Sequence, residues 1–319
     1  MSPETQYAYW SKVPAWRVDA ADCNRAVRKL LDHNRPHASL DLVAMRHNNA
    51  EANLSASLMT EVLEQTVRTA PEPNVDLQTL LHEAGDILDA IEASGEVDAS
   101  RIAALEFALL PFLEHEPRGP KLLHRELLRN PDFFVQGLSL LYRAEHEEQR
   151  ELTEIDASRA RLAYSLLDSW RLVPGTQDDG TVSAEALHTW VQQAQEAAQA
   201  ANRGRVADSM IGKVLSAAPY DADGSWPATP VREVLEQSNE VLHRGFITGV
   251  YNKRGGWIKA IAEGGGQERQ LVQLYQGYAA MVRDQWPRTA ALLQDIADVY
   301  SSEARRADIE VELEEDPWE

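Results

Sequence analysis

Residues 98–143, DASRIAALEFALLPFLEHEPRGPKLLHRELLRNPDFFVQGLSLLYR, decide the fold. Ile102, Leu105, Leu109 and Phe112 recur at helical spacing and form one apolar stripe. Asp98 is a residue type that caps helix N-termini. Pro111 is expected to kink that helix late or end it early, because proline removes a backbone donor and clashes with the preceding turn. Pro120 opens a short helix carrying Leu123 and Leu127. Asn130-Pro131-Asp132 places a cap before a proline at the first helical position. It launches a third helix with Phe133, Phe134, Leu138, Leu141 and Tyr142. Three short apolar helices joined by tight turns must pack on one another and on their neighbours.

Upstream, the pattern continues. Tyr7, Tyr9, Trp10 and Trp16 form an aromatic arm expected to dock on the first helices. Asp19 to Leu31 reads as a helix with Cys23, Val27, Leu30 and Leu31 on one face. Arg35-Pro36 turns the chain into a second helix with Leu40, Val43 and Ala44, giving an αα-hairpin. Ser55 or Ser57 caps a helix carrying Leu58, Val62 and Val67, which Pro71 and Pro73 terminate. Leu77, Leu80, Leu81, Ala84, Leu88 and Ile91 form an amphipathic helix that Gly95 ends.

Downstream, 145–154 is a charged run, and Asp156 is expected to cap a helix with Ala163, Leu166, Leu167 and Trp170. Pro174 to Gly180 combines proline, glycine and acids and reads as a linker. Ser183 restarts the helical pattern with Leu187, Trp190, Val191, Ala194 and Ala198. A shorter helix covers 206–217. Val231, Leu235, Ser238 and Leu242 suggest one helix running to Tyr251. Leu271, Leu274, Tyr275, Tyr278 and Val282 mark a further helix, and Pro287 opens the last, with Leu292, Leu293, Ile296 and Tyr300. No stretch alternates with period two between hairpin turns. The expected fold is all-α: stacked helical hairpins, irregular and α-solenoid-like, over 1–172, a linker at 173–182, a helical bundle over 183–306 and an acidic tail at 307–319.

Composition narrows the function. No apolar run approaches the roughly 20 residues that span a bilayer. The start of the chain lacks the cationic and apolar regions of a signal peptide. Cys23 is the single cysteine, so neither an internal disulfide nor a cysteine-rich zinc site can form. A reducing, cytoplasmic compartment is the expectation. The net charge of -20 repels a phosphate backbone at long range and disfavours nucleic acid as a partner, although a local basic groove is compatible with it.

Reactive constellations are sparse. Arg28 with His33, and Arg118 with His124, carry the arginine–histidine spacing of some helical ribonucleases. There the histidine serves as general acid or base and the arginine holds phosphate charge. The polar residue that follows the arginine in that pattern is replaced here by Lys29 and Gly119. His115, His124 and Glu126 lack metal-site spacing, and His82-Glu83 and His146-Glu147 lack a second histidine. Gly212-Lys213 resembles the end of a phosphate loop, but Val214 stands where Ser or Thr is required. No cofactor and no metal are expected. One segment runs against the charge of the whole: Lys253, Arg254 and Lys259 cluster around Trp257 among glycines whose backbone N–H groups suit anions. Lys253, Arg254, Trp257 and Lys259 are the candidate partner-binding residues.

The strings Gly249-Val250-Tyr251-Asn252, Arg254-Gly255, Glu263-Gly264-Gly265, Gln267-Glu268-Arg269 and Trp286-Pro287-Arg288-Thr289 through Ile296-Ala297 resemble the C-terminal helical ends of large, uncharacterised bacterial multidomain proteins. Arg118-Gly119-Pro120 to Phe133-Phe134 is similar. The resemblance implies a bacterial origin, upstream domains, and a signalling or defence setting in which a helical region senses a partner. The expected function is a non-enzymatic helical scaffold or sensing module that binds another protein or another domain. A helical hydrolase or ribonuclease using His and Arg is the alternative.

Overall fold

The computed structural model of the chain describes residues 3–10, 12–13, 18–48, 54–70, 83–113, 116–145, 147, 153–253 and 263–315. Among these residues there are fifteen α-helices and no strand, so the protein is all-α. In chain order they are α1 (Pro3–Trp10), α2 (Cys23–Asp32), α3 (Pro36–Asn48), α4 (Ala56–Arg68), α5 (Ala84–Ser94), α6 (Ala99–Leu113), α7 (Lys121–Arg129) and α8 (Pro131–Leu141). There follow α9 (Glu154–Ser169), α10 (Ala184–Ala200), α11 (Gly204–Leu215), α12 (Thr229–Gln237), α13 (Glu240–Asn252), α14 (Gly266–Val282) and α15 (Pro287–Glu315). No helix among the described residues is long and apolar enough to cross a membrane.

The chain sorts into two compact units, Met1–Glu126 with Thr153–Ser169, and Leu127–Leu152 with Trp170–Glu319. In the first unit, consecutive helices pack on one another: α2 on α3, α3 on α4, α4 on α5, α5 on α6. Their apolar faces share one core that includes Cys23, Val27, Leu30, Leu40, Val43, Val62, Leu88 and Leu109. Burial pushes the Cys23 thiol up, with Arg46 opposing the shift. Trp10 packs against this core. Arg35 fastens the arm by donating to the carbonyls of Trp10 and Val13, both at 3.0 Å. Tyr7 and Trp16, expected to dock with it, lie outside the described side chains, and Tyr9 is 45% exposed. Leu77, Leu80 and Leu81 also lie outside the described residues.

Local signals explain most helix ends. Ser55 accepts from the Leu58 N–H and caps α4. Gly95 ends α5 in the left-handed conformation, at φ 67°, where a Cβ would be strained. Asn130 accepts from the N–H groups of Asp132 and Phe133 and starts α8. Pro111 does not stop α6 at once, since the helix runs on to Leu113. Val67, expected on the apolar face of α4, is 37% exposed. The expected cap of α9, Asp156, sits inside the helix: Thr153 and Asp156 bond each other's backbone N–H, a reciprocal capping box with Thr153 at the cap.

Glu64 on α4 and Arg101 on α6 form a bidentate pair at 2.6 and 2.9 Å. The hydrogen bond from Arg101 holds the Glu64 carboxyl below its ordinary range, against an opposing desolvation. A carboxylate whose folded pKa lies below its unfolded value stabilises the fold above the unfolded pKa and loses that contribution as pH falls through the folded one. Arg101→Gln is therefore expected to cost less than about 1 kcal/mol at pH 7, since the pair is partly exposed to solvent. The gap between the wild-type and variant urea midpoints should narrow steadily as pH is lowered through the carboxylate range; a gap independent of pH would contradict the assignment.

The second unit is a bundle. Phe134, Trp170 and Trp190 meet in its core with ring centroids 5.2–6.0 Å apart, and the Trp190 indole donates to the Leu127 carbonyl at 3.0 Å. The segment around Gly175 and Gly180 lies within this unit. It is a tight loop in which Thr176 and Val182 form an isolated antiparallel bridge. The expected single helix over 231–251 is two helices. Ser238 leaves helical geometry at ψ 164°, and Asn239 accepts from the N–H groups of Val241 and Leu242 to start α13. Asn239 is an exposed polar residue between two apolar runs, so periodicity carries straight through the break.

Candidate partner-binding surfaces

An open groove of about 1000 Å³ in the first unit is lined by Asn24, Arg25, Arg28, Lys29, Leu31 and Asp32 of α2, with Ser55 before α4 and Glu61 and Gln65 on it. Its geometry follows from the amphipathicity of α2. Cys23, Ala26, Val27 and Leu30 are buried, so the helix must present Arg25 and Arg28 on the opposite side. The two arginines are three residues apart, hence neighbours on one face. Among the described residues, neither is in an ion pair or hydrogen bond. Lys29 is paired with Asp32 at 3.1 Å. Gln65 donates to Glu61 at 3.2 Å, one α4 lining residue to another. The result is a polar cleft with two uncommitted guanidinium groups, in a chain of net charge -20.

Of the residues singled out from sequence, Arg254, Trp257 and Lys259 lie outside the described residues. Lys253 follows α13 in a turn and is exposed. Its ammonium is pushed down to about 8, first by desolvation and second by the Arg171 charge.

Of the arginine–histidine pairs, Arg118, His124 and His33 are engaged in other contacts, while Arg28 lines the groove. Arg118 pairs with Glu106 at 2.6 Å and with Asp89 at 2.8 Å, and its side chain is 5% exposed. His124 lies 3.2 Å from the Ser169 hydroxyl, and His33 lies 2.7 Å from the Lys29 carbonyl. His115 is outside the described residues. Gly212, read as the end of an imperfect phosphate loop, lies within α11 and faces α13. A second concavity of about 590 Å³ is lined by Glu83, Asp86, Asp89, Glu116 and Arg118. Among the described residues, no three side chains are placed to hold a metal ion.

No family model, no curated protein and no solved structure matches this chain.

Of the groove residues, sequence reading singled out Arg28 for its spacing from His33 and passed over Arg25 and the wall from α4. Arg25, Arg28 and Lys29 look like the solvated face of an ordinary helix, and arginines elsewhere in the chain are interspersed with acids. The available signal was the spacing of Arg25 and Arg28 against the apolar face. What sequence could not give was the second wall, which α4 supplies from more than a turn of chain away.

Proposed function

We propose that the chain is a non-enzymatic helical scaffold or sensing module, part of a larger bacterial assembly, whose first unit takes an acidic segment of a protein partner between α2 and α4. The observation that carries this reading is the pair of unpaired arginines, Arg25 and Arg28, in a groove of about 1000 Å³. Guanidinium forks bind carboxylates in bidentate fashion and lose little in order to do so. Stacked hairpins offer such grooves between neighbouring helices. A short peptide carries its few carboxylates into the groove and stops there. A nucleic acid would continue past it across an acidic surface, where its phosphates are repelled.

The test is fluorescence anisotropy with a labelled glutamate-rich peptide, a lysine-rich peptide and a single-stranded RNA. The glutamate-rich peptide should bind, more weakly as salt rises, and Arg25→Glu with Arg28→Glu should weaken it at least about tenfold, as the loss of one charge-assisted contact alone would. Both positions are exposed, so the variant should keep its helical circular dichroism. Peptide binding that survives the double reversal sinks the proposal. So does cleavage of the RNA by the purified chain, which would favour the ribonuclease alternative.

A further inference from the structure

Among the described helices, α14 carries the longest uncharged run. From Gln270 to Val282, QLVQLYQGYAAMV, thirteen consecutive residues carry no charge, in a protein of which 26% is charged. The inward face is set by Glu268, Ala279 and Val282, which are buried. At about 100° per residue, the point diametrically opposite is Gly277. Around it lie Gln270, Gln273, Leu274, Ala280 and Met281, all exposed. Leu274 is 42% and Met281 55% exposed, an uncommon pair of large apolar side chains to leave in water on one stripe.

Gly277 itself is a second observation. A glycine in mid-helix is unfavourable relative to alanine. Elsewhere in this unit the chain uses helical glycines for close backbone approach: a Cβ on Gly212, Gly245 or Gly249 would run into the facing helix. A Cβ on Gly277 would meet nothing within 4 Å. The helix carries a close-approach residue with nothing yet approaching it.

We propose that the α14 face is the contact surface for a second copy of this chain, two α14 helices crossing antiparallel about Gly277. A two-fold axis through that crossing pairs residues whose numbers sum to about 554 and which lie on the same side of the stripe. Leu274 then meets Met281 of the second copy, and by symmetry the same contact forms again. Gln273 meets Ala280 of the second copy, long against small. Glycine faces glycine at the centre, where the backbones come closest. At each end Asp284 reaches Gln270 and Arg269 of the other copy. Arg283 lies further round the helix, about 120° from Gly277. The face is self-complementary in size and carries no charge over roughly its central three turns; the Arg269 that Asp284 meets at each end is itself paired with Asp308 at 2.7 Å. An uncharged face is where two chains of net charge -20 approach at least electrostatic cost. Interface cores are depleted in charge, as this stripe is. The helix is about 25 Å long at 1.5 Å per residue, so the contact falls at the small end of specific interfaces and the dimer should be reversible.

The test is sedimentation velocity of the full chain over a concentration series, on the wild type and on Gly277→Gln. Because the position is open, the glutamine leaves the fold intact and should, if anything, raise the melting temperature. The wild type should pass from monomer to dimer with rising concentration, and Gly277→Gln should raise the dissociation constant at least about tenfold by holding the backbones apart. Register is read from cysteine variants under oxidation. A mixture of Gln270→Cys with Asp284→Cys chains should form a disulfide-linked dimer, and Gln270→Cys alone should not. A wild type that stays monomeric throughout overturns the proposal, as it would if another segment of the same chain covered the face. A dimer indifferent to Gly277→Gln overturns it, and so does one that crosslinks through Gln270→Cys alone.

Discussion

Gly245→Ala will lower the stability of the second unit by about 2–3 kcal/mol, although the same change in most exposed helices stabilises them. Helices α11 and α13 meet through Gly212 on one side and Gly245 and Gly249 on the other. A Cβ at Gly245 would overlap the Ser209 carbonyl oxygen and lie 2.8 Å from its carbon. At Gly212 it would overlap the Leu242 carbonyl and lie 2.6 Å from the Phe246 nitrogen. The obstacles are backbone atoms, which cannot swing aside as a side-chain end can. The two helices must separate, and Phe246, which is buried and packs 5.5 Å from Trp226, must move with α13. Overpacking of this kind costs about 3 kcal/mol, offset by roughly 1 kcal/mol of improved helix propensity. Differential scanning calorimetry should show the transition of this unit lowered on the order of 5–10 °C. Gly277→Ala, measured at concentrations where the chain is monomeric, is the matched control. The substitution is chemically identical, but within one chain the site is open, and the expected sign is opposite. If Gly245→Ala and Gly277→Ala behave alike, backbone contact between α11 and α13 is not what holds this pair together.

Those glycines also show where sequence reading stops. Asn130-Pro131 and Gly95 were legible because a helix end is decided within a few residues by the donors it leaves unpaired. The apolar stripes were legible because burial repeats with the helix period. The role of Gly212 was not, since what it needs is the carbonyl of Leu242, thirty residues later. In isolation it looked like a defective phosphate loop. The break at Asn239 was hidden for a related reason: periodicity reports a face, and the face of α12 carries on in phase into α13. Of the candidate site, Lys253 was placed and its companions fall outside the described residues. The groove of Arg25 and Arg28 needed two helices to define it. Glu106 is the sharpest case. It sits in a run of alanine and leucine where a lone glutamate suggests the solvent side of the helix, yet it is fully buried.

That burial leads to the second large effect: Arg118→Leu will destabilise the first unit by about 3–5 kcal/mol. The Glu106 carboxylate is 0% exposed and accepts from the Arg118 guanidinium at 2.6 Å and from the Leu122 and Leu123 N–H groups at 2.8 and 3.0 Å. It thus caps α7 from the side of α6 while Arg118 neutralises it. Arg118 in turn reaches Asp89 at 2.8 Å and Glu92 at 3.4 Å on α5. One guanidinium therefore ties α5 and α6 through their acids, and Glu106 extends the network to the N-terminus of α7. Remove it, and a carboxylate stays buried with two neutral donors and no counter-charge. The reverse change should be gentler. Glu106→Leu leaves Arg118 beside Asp89 and Glu92, so the cation keeps its pairing, and the loss is chiefly the two backbone donors of α7, about 2 kcal/mol. The double variant, Glu106→Leu with Arg118→Leu, should cost clearly less than the two single costs added, because the orphaned carboxylate is gone. Urea denaturation of the four proteins closes the cycle. A loss below about 1 kcal/mol for Arg118→Leu would mean that water reaches Glu106 and screens the pair as it does at a protein surface. Strict additivity would mean that the guanidinium and the carboxylate do not act on each other, and α7 would need another explanation for where it begins.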